Sequence, residues 1–144
     1  MRYYRDFQVG DRILTRGRTV TETDIVMYAA LSGDWYPLHV DAEYAKSTPF
    51  GERIAHGLLI VSMAFGLMPL SDMAILAVSE IEKVKFYSPS KIDDTIRVEM
   101  EILEKTKKGH KKGFITAMVT IINQRSEKVA TVILKMLLTD MNLA

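Results

Sequence analysis

The chain contains no cysteine, and that one absence removes disulfides, thiolate zinc sites and a cysteine nucleophile together. Histidine is scarce too. None of the three that occur is spaced i, i+4, so the helical pair that commonly grips a metal is lacking. Neither sign of charge dominates, with 19 Lys plus Arg against 18 Asp plus Glu, and no net field recommends nucleic acid or an anionic membrane as a partner. Long apolar runs are missing as well. The longest, Ile54 to Leu70, is shorter than the roughly 20 residues of a membrane span and carries His56, Ser62 and Pro69. It reads as a buried helix. The charged start Met1-Arg2-Tyr3-Tyr4-Arg5-Asp6 has no secretory apolar stretch, which suggests a cytoplasmic protein.

What is present fits one compact domain over residues 1–144, with 48% apolar and 26% charged residues. Val9-Gly10-Asp11 signals a turn, and Arg12 to Val20 reads as a first short strand. Thr21 to Asp24 has the form of a capping box and opens a helix expected to run to about Leu31, with Gly33 placed to end it. Asp34 is thereby held just past a helix end. From there to Arg53 the chain is irregular, with Pro37, Pro49 and Gly51 and only a short helical turn over Ala42 to Lys46. Ile54 to Met68 is apolar almost all round and predicts the central helix, closed by Pro69.

The second half changes period. Ile96, Val98, Met100 and Ile102 alternate with polar residues, the signature of a strand with one wet face, and similar runs cover Ile75–Tyr87, Gly113–Asn123 and Lys128–Leu138. Turn signals at Gly109 to Gly113 and Asn123 to Glu127 predict an antiparallel meander. Together these elements describe an α+β domain in which a curved sheet wraps one buried helix. The last strand is apolar on both faces, so pairing with a second copy through it, at least as a homodimer, is expected.

Asp34 and His39 are the candidate chemical pair. A carboxylate and an imidazole share a proton transfer when both reach one water or one substrate atom. Pro37 fixes one torsion and biases Tyr36 away from helix, so a bend can turn both side chains inward. Histidine titrates near neutrality and can give or take a proton. On spacing alone, a helix-end acid with a solvated histidine is the favoured reading.

Ala30-Leu31-Ser32-Gly33-Asp34-Trp35-Tyr36-Pro37-Leu38-His39-Val40-Asp41, followed by Phe50-Gly51-Glu52-Arg53-Ile54-Ala55-His56-Gly57, resembles the hydratase motif of the MaoC-like dehydratases, which include the (R)-specific enoyl-CoA hydratases. The resemblance extends over essentially the whole chain and implies a hotdog fold. It implies Asp34 as base and His39 as acid, both holding one water, and the Gly57 backbone N–H as donor to the thioester oxygen. A donor at a helix N-terminus suits negative charge developing there. The family commonly has Asn where this chain has Tyr36, so the shape of the site differs. Asp93 likewise replaces the Gly of a Pro-containing turn that ends in Gly-Asp-Thr; Ser88 to Thr95 is read as structural only.

The remaining candidates have two readings each. His56 either lines the thioester site or orients the loop ahead of the helix. Ser62 either reaches the pocket or bonds back to its own helix. Trp35 and Tyr36 shape the pocket mouth or pack. Met63, Met68 and Met73 fill core gaps or border an acyl tunnel. Lys105, Lys107, Lys108, Lys111 and Lys112 around His110 make a solvated hairpin tip or contact CoA phosphates. The expectation is a homodimeric hydratase acting on acyl-CoA with no metal or redox cofactor, no nucleic acid and no membrane. A thioesterase and a non-catalytic acyl-CoA-binding subunit are the rivals.

Overall fold

The period-two run around Met100 forms the inside of the sheet in the computed structural model, which describes residues 1–142. It belongs to β4 (Thr95–Lys107), where Ile96, Val98, Met100 and Ile102 are at most 1% exposed. β4 turns back into β5 (Lys112–Ile122), and β5 into β6 (Lys128–Thr139), each pair antiparallel along nearly its whole length. The expected meander therefore holds for these three. β3 (Ile75–Phe86) departs from it: it crosses to the far edge and pairs with β6, not β4. The sheet has six strands in the order β1-β4-β5-β6-β3, with β2 also on β4. Register shifts along β3 mark bulges that bend this edge.

The single first strand predicted over Arg12 to Val20 is two pieces, β1 (Arg12–Leu14) and β2 (Arg18–Thr19). Both pair with β4, but between Leu14↔Glu99 and Arg18↔Ile96 the chain takes one residue more than its partner strand, and the ladder breaks there. Pattern cannot foresee such a bulge.

α1 (Glu22–Ser32) starts at the predicted capping box, with the Thr21 side chain accepting from the Asp24 N–H and Asp24 reaching back to the Thr21 N–H. It ends at Gly33, whose φ of 77° is the left-handed conformation that glycine adopts without a Cβ penalty. Two short helices follow, α2 (Pro37–Val40) and α3 (Ala42–Lys46).

The central helix, α4 (Gly57–Leu67), begins three residues later than predicted. Ile54 and Ala55 are buried and extended instead: Ile54 bridges Lys91, and the Ala55 N–H donates to the Ser90 carbonyl at 2.7 Å. A buried extended segment and a buried helix are equally apolar, so hydropathy does not separate them. α4 buries Leu59, Ile60, Val61, Met63, Ala64 and Leu67 against the sheet, each large side chain contributing about 1.5–3 kcal/mol. Leu58, Ser62 and Gly66, at i, i+4 and i+8, form an exposed stripe, so the helix is not enclosed all round.

One further expectation changes. β6, chosen as the surface for a second copy, is an interior strand held by β5 and β3; the long edge is β3, where Leu76, Val78, Ile81 and Phe86 are 45–51% exposed. Met68 and Met73 are buried in the core, as the gap-filling reading requires, and Met63 lies at its border. Asp93 has φ 73°, which explains why a glycine suits that position. Among the described residues no helix is long and apolar enough to cross a membrane.

Replacing Thr21 by Ala removes the cap of α1 and is expected to lower the unfolding free energy by about 1 kcal/mol, read as a lower urea midpoint at unchanged slope.

Candidate active site

The end of α1 fixes the first candidate residue. The Gly33 N–H donates to Ala29 O at 2.8 Å, and the Ser32 hydroxyl accepts the Asp34 N–H at 3.1 Å while donating to Tyr28 O at 2.7 Å. The Asp34 carboxylate accepts the Tyr36 N–H at 3.2 Å and is otherwise exposed. Pro37 then starts α2, which carries His39 one turn back toward Asp34.

His39 meets the extended segment ahead of α4. Its Nδ1 lies 2.7 Å from the Ile54 carbonyl, which can only accept, so the proton is on Nδ1 and Nε2 offers a lone pair. His56 has the reverse tautomer: Nε2 donates to the Asp34 carbonyl at 2.9 Å. The two imidazoles stack at 3.8 Å, with Tyr28 4.8 Å behind His56 and the Tyr36 ring edge-on to His39 at 6.1 Å. Arg53 joins the second motif block to α1 through Glu22 at 2.5 Å.

A donor atom from each of Asp34, His39 and His56 lies within 4.8 Å of the others. One water hydrogen-bonded to two acceptors bridges about 4.5 Å, so Asp34 and His39 can hold a single water between them. The same trio has the composition of a metal site. Each histidine gives one nitrogen to a carbonyl and keeps the other free, so the pair can face a water or a ligand from those nitrogens.

Burial lowers the pKa of His39, the largest effect, and the neighbouring His56 adds to it; the Ile54 carbonyl and Asp34 oppose without cancelling them. His39 is therefore the neutral imidazole near neutral pH. The unfolded chain binds the proton more readily, so stability present above pH about 6.5 is lost as pH falls from there through the lower folded-state pKa.

Gly57 is the first residue of α4, so its N–H has no acceptor within the helix. A Cβ at this position would sit 2.6 Å from the Phe86 ring. Only glycine allows that close approach. A cavity of about 380 Å³ opens here, lined by His39, Gly57, Ile60, Phe86, Ser90 and Val129 among others. It is apolar apart from a few polar groups, as ligand cavities commonly are.

Asp34, His39, His56 and Gly57 are thus brought together, and Tyr36 braces His39 with its hydroxyl 3.1 Å from that of Tyr44. Trp35 is 52% exposed beside them. Ser62 is not part of this group: its hydroxyl donates to Leu58 O at 2.8 Å and it lines a separate groove between α1 and α4. Lys105 serves the fold, donating to Phe7 O at 2.8 Å above the Tyr4 ring. The other lysines of the β4–β5 tip lie beside the start of β3, whereas the cavity lies at its end. Phe86, Ser90 and Tyr28 were not legible as site residues. Phe86 and Tyr28 carry only apolar periodicity, and Ser90 sits in a turn whose signal is structural.

Residues 6–124 match the family described as MaoC like domain. Protein MaoC of Klebsiella aerogenes is 40% identical over 113 residues, covering 78% of this chain and 34% of that protein, so the chain spans about a third of this relative. The (R)-specific enoyl-CoA hydratase of Rhodospirillum rubrum is 30% identical over 83% of this chain and 81% of its own length. A solved structure described as a monoamine oxidase regulatory protein from Archaeoglobus fulgius superposes with a TM-score of 0.91 at 37% identity, covering 97% of this chain and 95% of that one. The six-stranded antiparallel sheet of this chain, with α4 packed against it, is the hotdog fold.

The unfolding free energy is expected to fall between pH 7 and pH 5, and His39→Gln, which has no titrating group, should flatten that slope in urea titrations. An unchanged slope would mean that His39 is not the buried neutral group.

Proposed function

The chain belongs to the MaoC-like family, and on that premise we propose that it is a hydro-lyase adding water to trans-2-enoyl-CoA, or removing it from (R)-3-hydroxyacyl-CoA. One observation carries the reading: the Asp34 carboxylate lies within 4.8 Å of the His39 ring, whose free Nε2 accepts, and His39 shares the cavity with Gly57, whose N–H has no acceptor within its helix. Residues 34–57 are the part of the chain where the motif lies, and the Rhodospirillum rubrum relative named as an (R)-specific enoyl-CoA hydratase aligns over 83% of the chain.

The proton positions favour a modified division of labour. The expectation from resemblance made Asp34 the base and His39 the acid. With its only proton engaged by Ile54, neutral His39 has none on Nε2 to give at the outset. In the proposed reaction water donates one hydrogen to Asp34 and the other to His39 Nε2. As the oxygen bonds to C3, its proton passes to His39 and the C2–C3 π pair moves toward the thioester oxygen, where the Gly57 N–H stabilises the charge. The imidazolium then returns that proton to C2, and Asp34 supports the transient positive ring. Water is consumed whole, and neither metal nor redox partner enters the balance. Tyr36, on the other side of His39, supports its ring and narrows the approach.

A thioesterase would use the same water on the carbonyl carbon and release thiol; a binding subunit would turn over nothing. Crotonyl-CoA mixed with the protein is expected to lose its enoyl absorbance without thiol release. Asp34→Asn and His39→Ala should each lower kcat/KM about 10²–10⁴-fold, with circular dichroism unchanged. Near-normal turnover in both variants would end the assignment.

The substrate-binding unit is proposed to be a homodimer joined at the β3 edge. Glu80 and Glu82 precede Lys83 and Lys85, so antiparallel pairing with a second copy sets acid against base, and the half-exposed Ile81 gains cover. Light scattering is expected to give about twice the 16.3 kDa of one chain; a monomer at working concentration would refute this.

A further inference from the structure

Ser90 has a feature that the fold leaves unexplained. The residue is 2% exposed, and its hydroxyl has no hydrogen-bond partner among the described residues. An unsatisfied buried hydroxyl is destabilising, and native chains keep few of them. Its backbone is well held: the Ser90 carbonyl takes the Ala55 N–H at 2.7 Å, and the Lys91 N–H donates to the Asp94 carboxylate at 3.0 Å. Asp94 in turn is gripped by Gln124 at 2.7 Å and Arg125 at 3.3 Å. Burial pushes the Asp94 carboxyl up, but these bonds outweigh it and keep it ionised and in place. The position is rigid while the side chain is unused.

Ser90 also lines the cavity that holds His39 and Gly57. The extended pair Ile54–Ala55 lies between them, bound to His39 through Ile54 O and to Ser90 through the Ala55 N–H. The wall around it is mostly apolar, with Phe50, Ile54, Phe86, Pro89 and Val129, and Tyr87 and Ser88 add hydroxyls that are not fully buried. A polar ligand atom passing it would lose its water and meet a hydroxyl that is buried and has no partner among the described residues. An acyl thioester has such an atom pair, since a two-carbon spacer joins its sulfur to the first amide of the carrier arm.

We propose that Ser90 is a substrate-binding residue whose hydroxyl rotates into the cavity and hydrogen-bonds the first amide of the thioester's carrier arm. This rests on the thioester reading of the cleft. The bond forms equally in ground and transition states, so it governs affinity and KM and leaves kcat unchanged.

The test is calorimetric binding of butyryl-CoA, which is saturated and cannot be hydrated, to the wild type, Ser90→Ala and Ser90→Cys, with melting temperatures and crotonyl-CoA hydration measured in parallel. Both variants are expected to bind about three- to tenfold more weakly, with Tm unchanged or raised because the unsatisfied group is gone. The same deficit is expected with S-butyryl-N-acetylcysteamine, which keeps the thioester and the first amide alone. Wild-type affinity in either folded variant overturns the proposal, as does a deficit that vanishes with the short thioester. Weaker binding by the variants in a protein that hydrates nothing removes the hydratase reading and leaves Ser90 standing. A wild type that binds neither thioester overturns both.

Discussion

The Ile54 carbonyl and the Ala55 N–H, on consecutive residues ahead of the central helix, hold the candidate site together. The carbonyl fixes the His39 tautomer, and the N–H ties the segment to the Ser90 turn. If this pair continued α4 as helix, the Ile54 carbonyl would be drawn into the helical ladder and the Ala55 N–H would turn away from Ser90. His39 would lose the acceptor that keeps its proton on Nδ1, and the cavity wall would separate from Gly57. The segment is held extended by its bridge to Lys91 and by its burial against the core. Sheet, turn and helix all meet at these residues.

His56 extends the same logic to the other wall. It is 2% exposed, donates to the Asp34 carbonyl and stacks on His39, so a single ring sets both members of the pair and its own backbone leads into Gly57. Of its two sequence readings, the contacts favour the orienting role. The electrostatic consequence follows from position. A ring pressed between His56 and the core resists protonation, and a neutral His39 beside an exposed Asp34 makes two acceptors where one water has two hydrogens to give.

Much of this was legible in the sequence, for identifiable reasons. The cap at Thr21 and the stop at Gly33 are local chemistry, so α1 and the placing of Asp34 could be read directly. The period-two run of β4 announces its buried face. The pairing of Asp34 with His39 and Gly57 came from resemblance, because spacing alone favoured a solvated loop. The rest depends on contacts distant in sequence. The place of β3 at the far edge is decided by pairing with β6, and the late start of α4 by a bridge to Lys91. Ser62 looked suitable by residue type but faces the opposite groove, while Ser90 looked like turn material and lines the cavity.

The central claim is that one water, held by Asp34 and His39 on one side of the substrate, supplies both the hydroxyl at C3 and, through His39, the proton at C2. Hydration of crotonyl-CoA in D₂O, with the relative configuration at C2 and C3 read by NMR, tests it directly. Oxygen and deuterium added to the same face of the double bond are the expected result. Addition to opposite faces would require a proton donor elsewhere in the cavity and would contradict the account.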